Sequence, residues 1–405
     1  MKKLKIYIGC LILFTGLFNF SANAENYNVH NPDFPKSANP YIEDATIDIL
    51  AEIYNAVNAN GVRENMPEAA EEYLGSAGSD GAGNLSIGDI SGRFSFGFIF
   101  NIIMRLLGSL VSVAVKNFIP VIAFIILGAV INVLKNLNGK DGFSDIINFV
   151  LIVCLAGAVF FNVRDCFYIS KKFLEDIHVY MTTMIPVMAS LSTVSGNAAS
   201  AAANSAGLYV ALNVIGAMSG SIILPVLQIC FALSLANQLT SSSDTVNLGG
   251  ISSYMRSVLN WIFIFVMTIL TAVLLFQNIL ASSADNVAAR TVKFTVSSFV
   301  PVVGGMIGEV SKTIIGSIQI VKSITGIFGV LVIIITLLPP LITVILNKLM
   351  LKISGAFALI LGMDKHADFL KEMNSLLDIT VALMVSASLV FIFDITVFIK
   401  TMAVF

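Results

Sequence analysis

The sequence predicts an all-α polytopic membrane protein, with a cleaved signal peptide, a small acidic helical ectodomain and about 6–8 membrane helices that include Pro/Gly-broken and re-entrant segments. Three observations carry this reading. Of 405 residues 57% are hydrophobic and only 12% charged, whereas soluble domains carry about 25% charged residues. Several uncharged apolar runs approach the roughly 20 residues a helix needs to cross the hydrocarbon core. The chain also starts with the basic, apolar, small-residue order of an export signal.

Residues 1–24 set Lys2, Lys3 and Lys5 before an apolar core, Ile6 to Phe20, and place Ala22-Asn23-Ala24 ahead of Glu25 as an A-x-A cleavage site. An uncleaved anchor is the alternative; either way residue 25 onward starts outside the cytoplasm. Residues 25–93 form an acidic extracytoplasmic domain. Between Glu25 and Ile90 twelve acidic residues face two basic ones, while from Ser91 onward eighteen basic residues face thirteen acidic. Glu43 to Val57 aligns Ile47, Leu50, Ile53, Tyr54 and Val57 on one helical face. Asn65-Met66-Pro67-Glu68 reads as a second helix start, with proline near the first turn and acids at the positive dipole end. That helix ends near Leu74, and residues 75–84 (GSAGSDGAGN) are a Gly-rich linker. Two short helices cannot bury a core of their own. They dock on a partner or on the membrane body, or they form a loose tether.

The membrane domain covers residues 94–405. Phe94–Val115 is apolar but interrupted by Asn101 and Arg105, so it spans with Arg105 facing inward or lies along the interface. Phe118–Leu134 and Phe143–Val163 read as spans, Arg164–His178 as a charged loop, and Val179–Val194 as a weaker span. Leu208–Ala236, Val258–Leu280, Ile327–Leu346 and Leu376–Ile399 are further spans, and Ile353–Gly362 is too short to cross alone. Small residues fill 196–207, letting helices approach closely. Pro120, Pro186, Pro225, Pro339 and Pro340 are expected to break helices, since each removes a backbone donor and clashes with the turn before it. Broken helices line binding sites in transporters. If Phe94–Val115 spans, loops at Lys171/Lys172 and Lys348/Lys352 face the cytoplasm; if it does not, every later loop inverts.

Ala289 to Gly329 lies between two strongly apolar runs, yet holds Arg290, Lys293, Glu309, Lys312, Lys322 and several glycines. Irregular backbone at membrane depth is tolerated only inside protein or against water. The stretch therefore reads as an enclosed or re-entrant element, with an amphipathic surface helix as the alternative. Phe299, Pro301, Gly304, Gly305, Gly308, Glu309 and Lys312 are the candidate pore-lining or partner-contacting residues. Arg105, Arg290 and Asp394 are candidate intramembrane charges, because charge in lipid is costly unless paired or wetted. Snorkelling to the interface is the competing account of each.

Catalytic signatures are missing. His30, His178 and His366 stand apart, no cysteine pair among residues 10, 154, 166 and 230 has metal or redox spacing, and neither a phosphate-binding GxxxxGK[ST] loop nor a GxSxG elbow occurs. The sequence thus gives no catalytic residue, metal site or cofactor, and no basic, aromatic-interleaved patch for nucleic acid. A channel or transporter subunit and a non-conducting membrane scaffold both remain.

Lys293-Phe294, the run Phe299-Val300-Pro301-Val302-Val303-Gly304-Gly305, and then Ser311, Gly316 and Gly326 resemble the stage III sporulation protein AE family of endospore-forming bacteria. The likeness covers roughly residues 94–405, with leader and acidic ectodomain in the expected order. It implies a place in the mother-cell membrane around the forespore, with the N-terminal domain in the intermembrane space. It also implies partners: a multi-protein channel or secretion-like apparatus with a separate ATPase and ring-forming subunits, which supports forespore development. A homo-oligomer is compatible with this arrangement, and a stand-alone permease is the alternative.

Overall fold

The computed structural model describes residues 65–75, 96–138, 142–240, 248–299 and 304–400. The expected signal peptide, the Glu43–Val57 helix and residues 76–84 of the linker lie outside the described residues. Among those described, all regular structure is helical. The order is α1 (Glu68–Gly75), α2 (Phe96–Asn138), α3 (Gly142–Val194), α4 (Ala198–Ala217), a π-helical turn (Met218–Ile223), α5 (Leu224–Thr240), α6 (Leu248–Phe299), α7 (Gly304–Ile360) and α8 (Asp364–Lys400). Among the described residues six segments are long and apolar enough to cross a membrane: one each in α2, α3, α6, α7 and α8, and one running through α4 and α5.

The helices are longer than a crossing requires. α3 has 53 residues, about 80 Å at 1.5 Å per residue, against a hydrocarbon core of about 30 Å. It carries straight through Arg164–His178, which is therefore helix and not the charged loop expected. Its periodicity explains this: Val163, Cys166, Phe167, Ser170, Phe173, Leu174 and Ile177 are buried, while Arg164, Asp165, Tyr168, Lys171, Lys172 and Glu175 are exposed. One face is apolar enough to pack, so the charges ride on the other. Likewise the expected spans Phe94–Val115 and Phe118–Leu134 fuse, from Phe96 on, into α2, while Ile353–Ile360 and the Lys348/Lys352 "loop" belong to α7.

The helices do not break at Pro120, Pro186, Pro339 or Pro340, which lie inside α2, α3 and α7. In apolar surroundings the remaining backbone groups have no better partner than their own helix, so one missing donor does not end it. Beside Pro120, which leaves the Lys116 carbonyl without its helical donor, Asn162 Nδ2 of α3 donates to the next carbonyl, that of Asn117, at 3.2 Å and ties the two helices together there. Only near Pro225 does the helix change form, through the π-helical turn just before it. No separate re-entrant element forms among the described residues. The Ala289–Gly329 stretch divides between the end of α6 and the first part of α7, with 300–303 outside the described residues.

The central unit is the antiparallel hairpin of α7 and α8, turned at Gly362, whose φ of +71° favours glycine. Its register is fixed along the whole hairpin. Lys348 Nζ meets Asp378 Oδ1 at 2.5 Å, Gly329 faces Ile395, and Gly326 faces Ile399. α3 packs on the same glycines from the other side: a Cβ at Gly329 would lie 2.6 Å from Met184 Cε, and one at Gly326 would lie 3.3 Å from Met188 Cε. Close approach of this kind supplies van der Waals contact where lipid gives no hydrophobic drive. α4 and α5 together run antiparallel to α6, joined by a 3.0 Å hydrogen bond between the Ser234 and Ser252 hydroxyls. Arg256 Nη1 of α6 donates to the Glu372 carbonyl of α8 at 2.9 Å. α1 forms where proline and acids signal it, and packs on α7 with Ala70 fully buried.

Candidate functional site

α4 begins after Gly196, which turns the chain at φ +86°. Its N-cap residue, Asn197, makes no side-chain cap hydrogen bond, so the first N–H groups of the helix need another acceptor. Asp285 of α6 supplies it. Its Oδ1 accepts from the Ala199 N–H at 2.9 Å and its Oδ2 from the Ser200 N–H at 2.8 Å. A carboxylate at this position also complements the positive end of the helix dipole. Lys322 of α7 stands within electrostatic reach of Asp285, and its side chain is 1% exposed.

Further polar groups lie within one or two turns of these residues along the same helices. Ser200 and Asn204 lie one turn apart on α4, Asn278 shares a face of α6 with Asp285, and Lys322 and Thr325 are one turn apart on α7. Ser200 Oγ, Asn204 Nδ2, Asn278 Oδ1 and Thr325 Oγ1 are buried and find no protein partner. Leaving such groups dry costs about 1–3 kcal/mol each. This end of the bundle is therefore chemically suited to hold water or a small polar solute among α4, α6 and α7. Asp394 lies further along the bundle on α8. It is 6% exposed, and its Oδ2 has no protein hydrogen-bond partner.

The structure sorts the residues singled out from sequence. Asp394 is inside the bundle; Arg105 and Arg290 are exposed. Arg105, expected to face inward if α2 spans, falls off the buried stripe formed by Ile102, Leu106, Ala114 and Phe118. Pro301 and the side chains of Phe299, Gly304, Gly305, Gly308, Glu309 and Lys312 lie outside the described residues. Asp285 and the Lys348–Asp378 pairing escaped the sequence reading. Asp285 follows a charge-free run from 257 to 284, which was the available signal: a lone acid ending so long an apolar stretch needs a partner.

A sequence profile described as Stage III sporulation protein AE matches residues 85–402. The Stage III sporulation protein AE of Bacillus subtilis (strain 168) is 25% identical over 226 residues, which is 56% of this chain and 56% of that protein. The aligned part thus spans little more than half of the relative. No solved structure matches.

Proposed function

The chain belongs to the stage III sporulation protein AE family, and from that membership we propose that it is a membrane subunit of a multi-protein channel or secretion-like complex between mother cell and forespore. It sits in the mother-cell membrane around the forespore, with its acidic N-terminal domain in the intermembrane space. It works beside a separate ATPase and ring-forming subunits and supports forespore development. The observation that carries this reading is charge kept inside an apolar bundle, with Asp285, Lys322 and Asp394 each less than a tenth exposed. Ionisable groups held at such positions mark solute paths or proton relays more often than plain packing.

Deleting the gene in its spore-forming host and restoring it with wild type or Asp394→Asn tests the reading. Loss of heat-resistant spores and of late forespore reporter activity on deletion, together with co-purification of sporulation proteins from engulfed cells, is the expected result. Normal sporulation in the deletion strain would remove the proposal. The polar cluster around Asp285 also suits a stand-alone permease, and uptake of a small solute by the purified protein alone would favour that alternative.

A further inference from the structure

Contacts between helices set the uncharged runs side by side. α6 carries no charge from 257 to 284, α7 none from 323 to 347, α8 none from 379 to 393, and α4 with α5 none from 198 to 240. The contacts of Gly326 and Gly329 with Ile399 and Ile395, of Lys348 with Asp378, and of Asp285 with Ser200 bring these runs to one depth. That shared zone is where the hydrocarbon core fits. α3 does not follow the pattern. Met184 and Met188 lie against Gly329 and Gly326, so Arg164–His178 of the antiparallel α3 runs beside roughly 335–349 of α7. The charged middle of α3 thus stands at the depth where α6, α7 and α8 are apolar, while α2, by its Asn162–Asn117 contact with α3, sets exposed Arg105 and Lys116 at the same depth.

The two sides of the bundle differ at this depth. On α6 from 261 to 269 the exposed residues are Trp261, stacked on Phe265 at 5.4 Å, with Ile262, Ile264, Ile269 and one polar residue, Thr268, whose hydroxyl donates back to the Ile264 carbonyl, a surface suited to lipid. On α3 they are Arg164, Asp165, Tyr168, Lys171, Lys172 and Glu175. A second observation comes from α1: Glu68 reaches Lys172 at 3.5 Å while its side chain stays 89% exposed, and Glu71 and Glu72 are exposed beside it. On the reading above, this acidic helix, at the membrane-side end of the N-terminal domain, reaches in from the intermembrane space to lie against the face, and needs water there as much as the face does.

We infer that the outer face of α3 from Arg164 to Glu175 borders water at bilayer depth, as one wall of an aqueous passage. The inference rests on the membrane-complex reading above and names the surface such a complex would enclose. The wall carries Arg164, Lys171 and Lys172 against Asp165 and Glu175, and α1 adds exposed Glu68, Glu71 and Glu72 beside them, so the face suits hydrated polar solutes and sets no net positive field against cations.

The test uses the full chain in membranes of sporulating cells, opened to give access from both faces, with Cys10, Cys154, Cys166 and Cys230 replaced. Single cysteines are placed by Lys171→Cys and Glu175→Cys on α3, and by Trp261→Cys and Phe265→Cys on α6. Thiosulfonate reagents carrying a fixed positive or negative charge react only with wetted, ionised thiols. The α3 sites are expected to react at least tenfold faster than the α6 sites with both reagents. Equally slow reaction at all four sites, or equally fast reaction at all four, overturns the inference: the first leaves the wall dry, the second puts this depth outside the bilayer. If a lysine or glutamate substitution prevents accumulation, Tyr168→Cys reports on the same face. Fast α3 labelling in a protein dispensable for sporulation would keep the wetted wall and discard the sporulation role, so the two claims fail separately.

Discussion

Asp285 caps a helix to which it does not belong: its Oδ2 accepts the Ser200 backbone N–H at 2.8 Å, across 85 residues of chain. The contact ties the end of α6 to the start of α4 and places a negative charge near Lys322. Asp285→Asn keeps an acceptor and loses the charge; Asp285→Ala loses both. Thermal melting in detergent should rank wild type above the asparagine variant and that above alanine. The cap alone accounts for about 1–2 kcal/mol of the alanine effect. Equal melting of all three would mean that α4 starts without help.

Glycines in α7 and α2 should respond in opposite directions. Gly329 is wedged between Met184 and Ile395, so Gly329→Val overpacks the junction of α3, α7 and α8 and costs about 1–3 kcal/mol. A Cβ at Gly108 meets nothing within 4 Å. Gly108→Ala should therefore stabilise α2 by about 0.5–1 kcal/mol, through the smaller backbone entropy lost on folding. Unfolding followed by circular dichroism in one detergent compares the two directly.

Lys348 and Asp378 cross the α7–α8 hairpin with side chains 12% and 32% exposed. Partial exposure weakens such a pair by solvent screening, so a double-mutant cycle with Lys348→Met and Asp378→Asn should return a coupling of about 1 kcal/mol. Zero coupling would show that the register is held by packing at the glycines alone.

α1 should be held on the bundle more by packing than by charge. Its ion pair to Lys172 is exposed and contributes little, whereas Ala70 is fully buried. Limited proteolysis should cut near α1 readily in Ala70→Glu and hardly more than wild type in Glu68→Gln. The reverse order would make the ion pair the anchor.

Much of this architecture can be read from the chain. The apolar runs at Val258–Leu280, Ile327–Leu346 and Leu376–Ile399 all fall inside long helices, and the proline-led start at Pro67 precedes α1. What misled was counting charges without their phase. Arg164–His178 looks like a loop by composition, yet its charges recur at helical spacing and leave Phe167, Phe173 and Ile177 on the opposite face. Proline misleads in the same direction: the lost donor and the clash predict a break, but inside a bundle the neighbouring backbone groups keep their helical partners and the helix continues. The polar cluster was hidden for a different reason. Asp285 and Ser200 are brought together only by tertiary packing, and no local spacing announces a cap supplied from a distant helix.

The π-helical turn at Met218–Ile223 carries a consequence for the helix that follows. Such a turn amounts to one extra residue slipped into an α-helix, and each residue advances the helix by about 100°. Everything after Leu224 is thus rotated relative to α4, which is how Cys230 and Ser234 come to face Ser252. Excising a single residue from that turn would leave one continuous α-helix while swinging the far half round by more than a quarter circle. The side chains would survive intact but aim at the wrong neighbour, so the angular phase of α5 is set by one surplus residue.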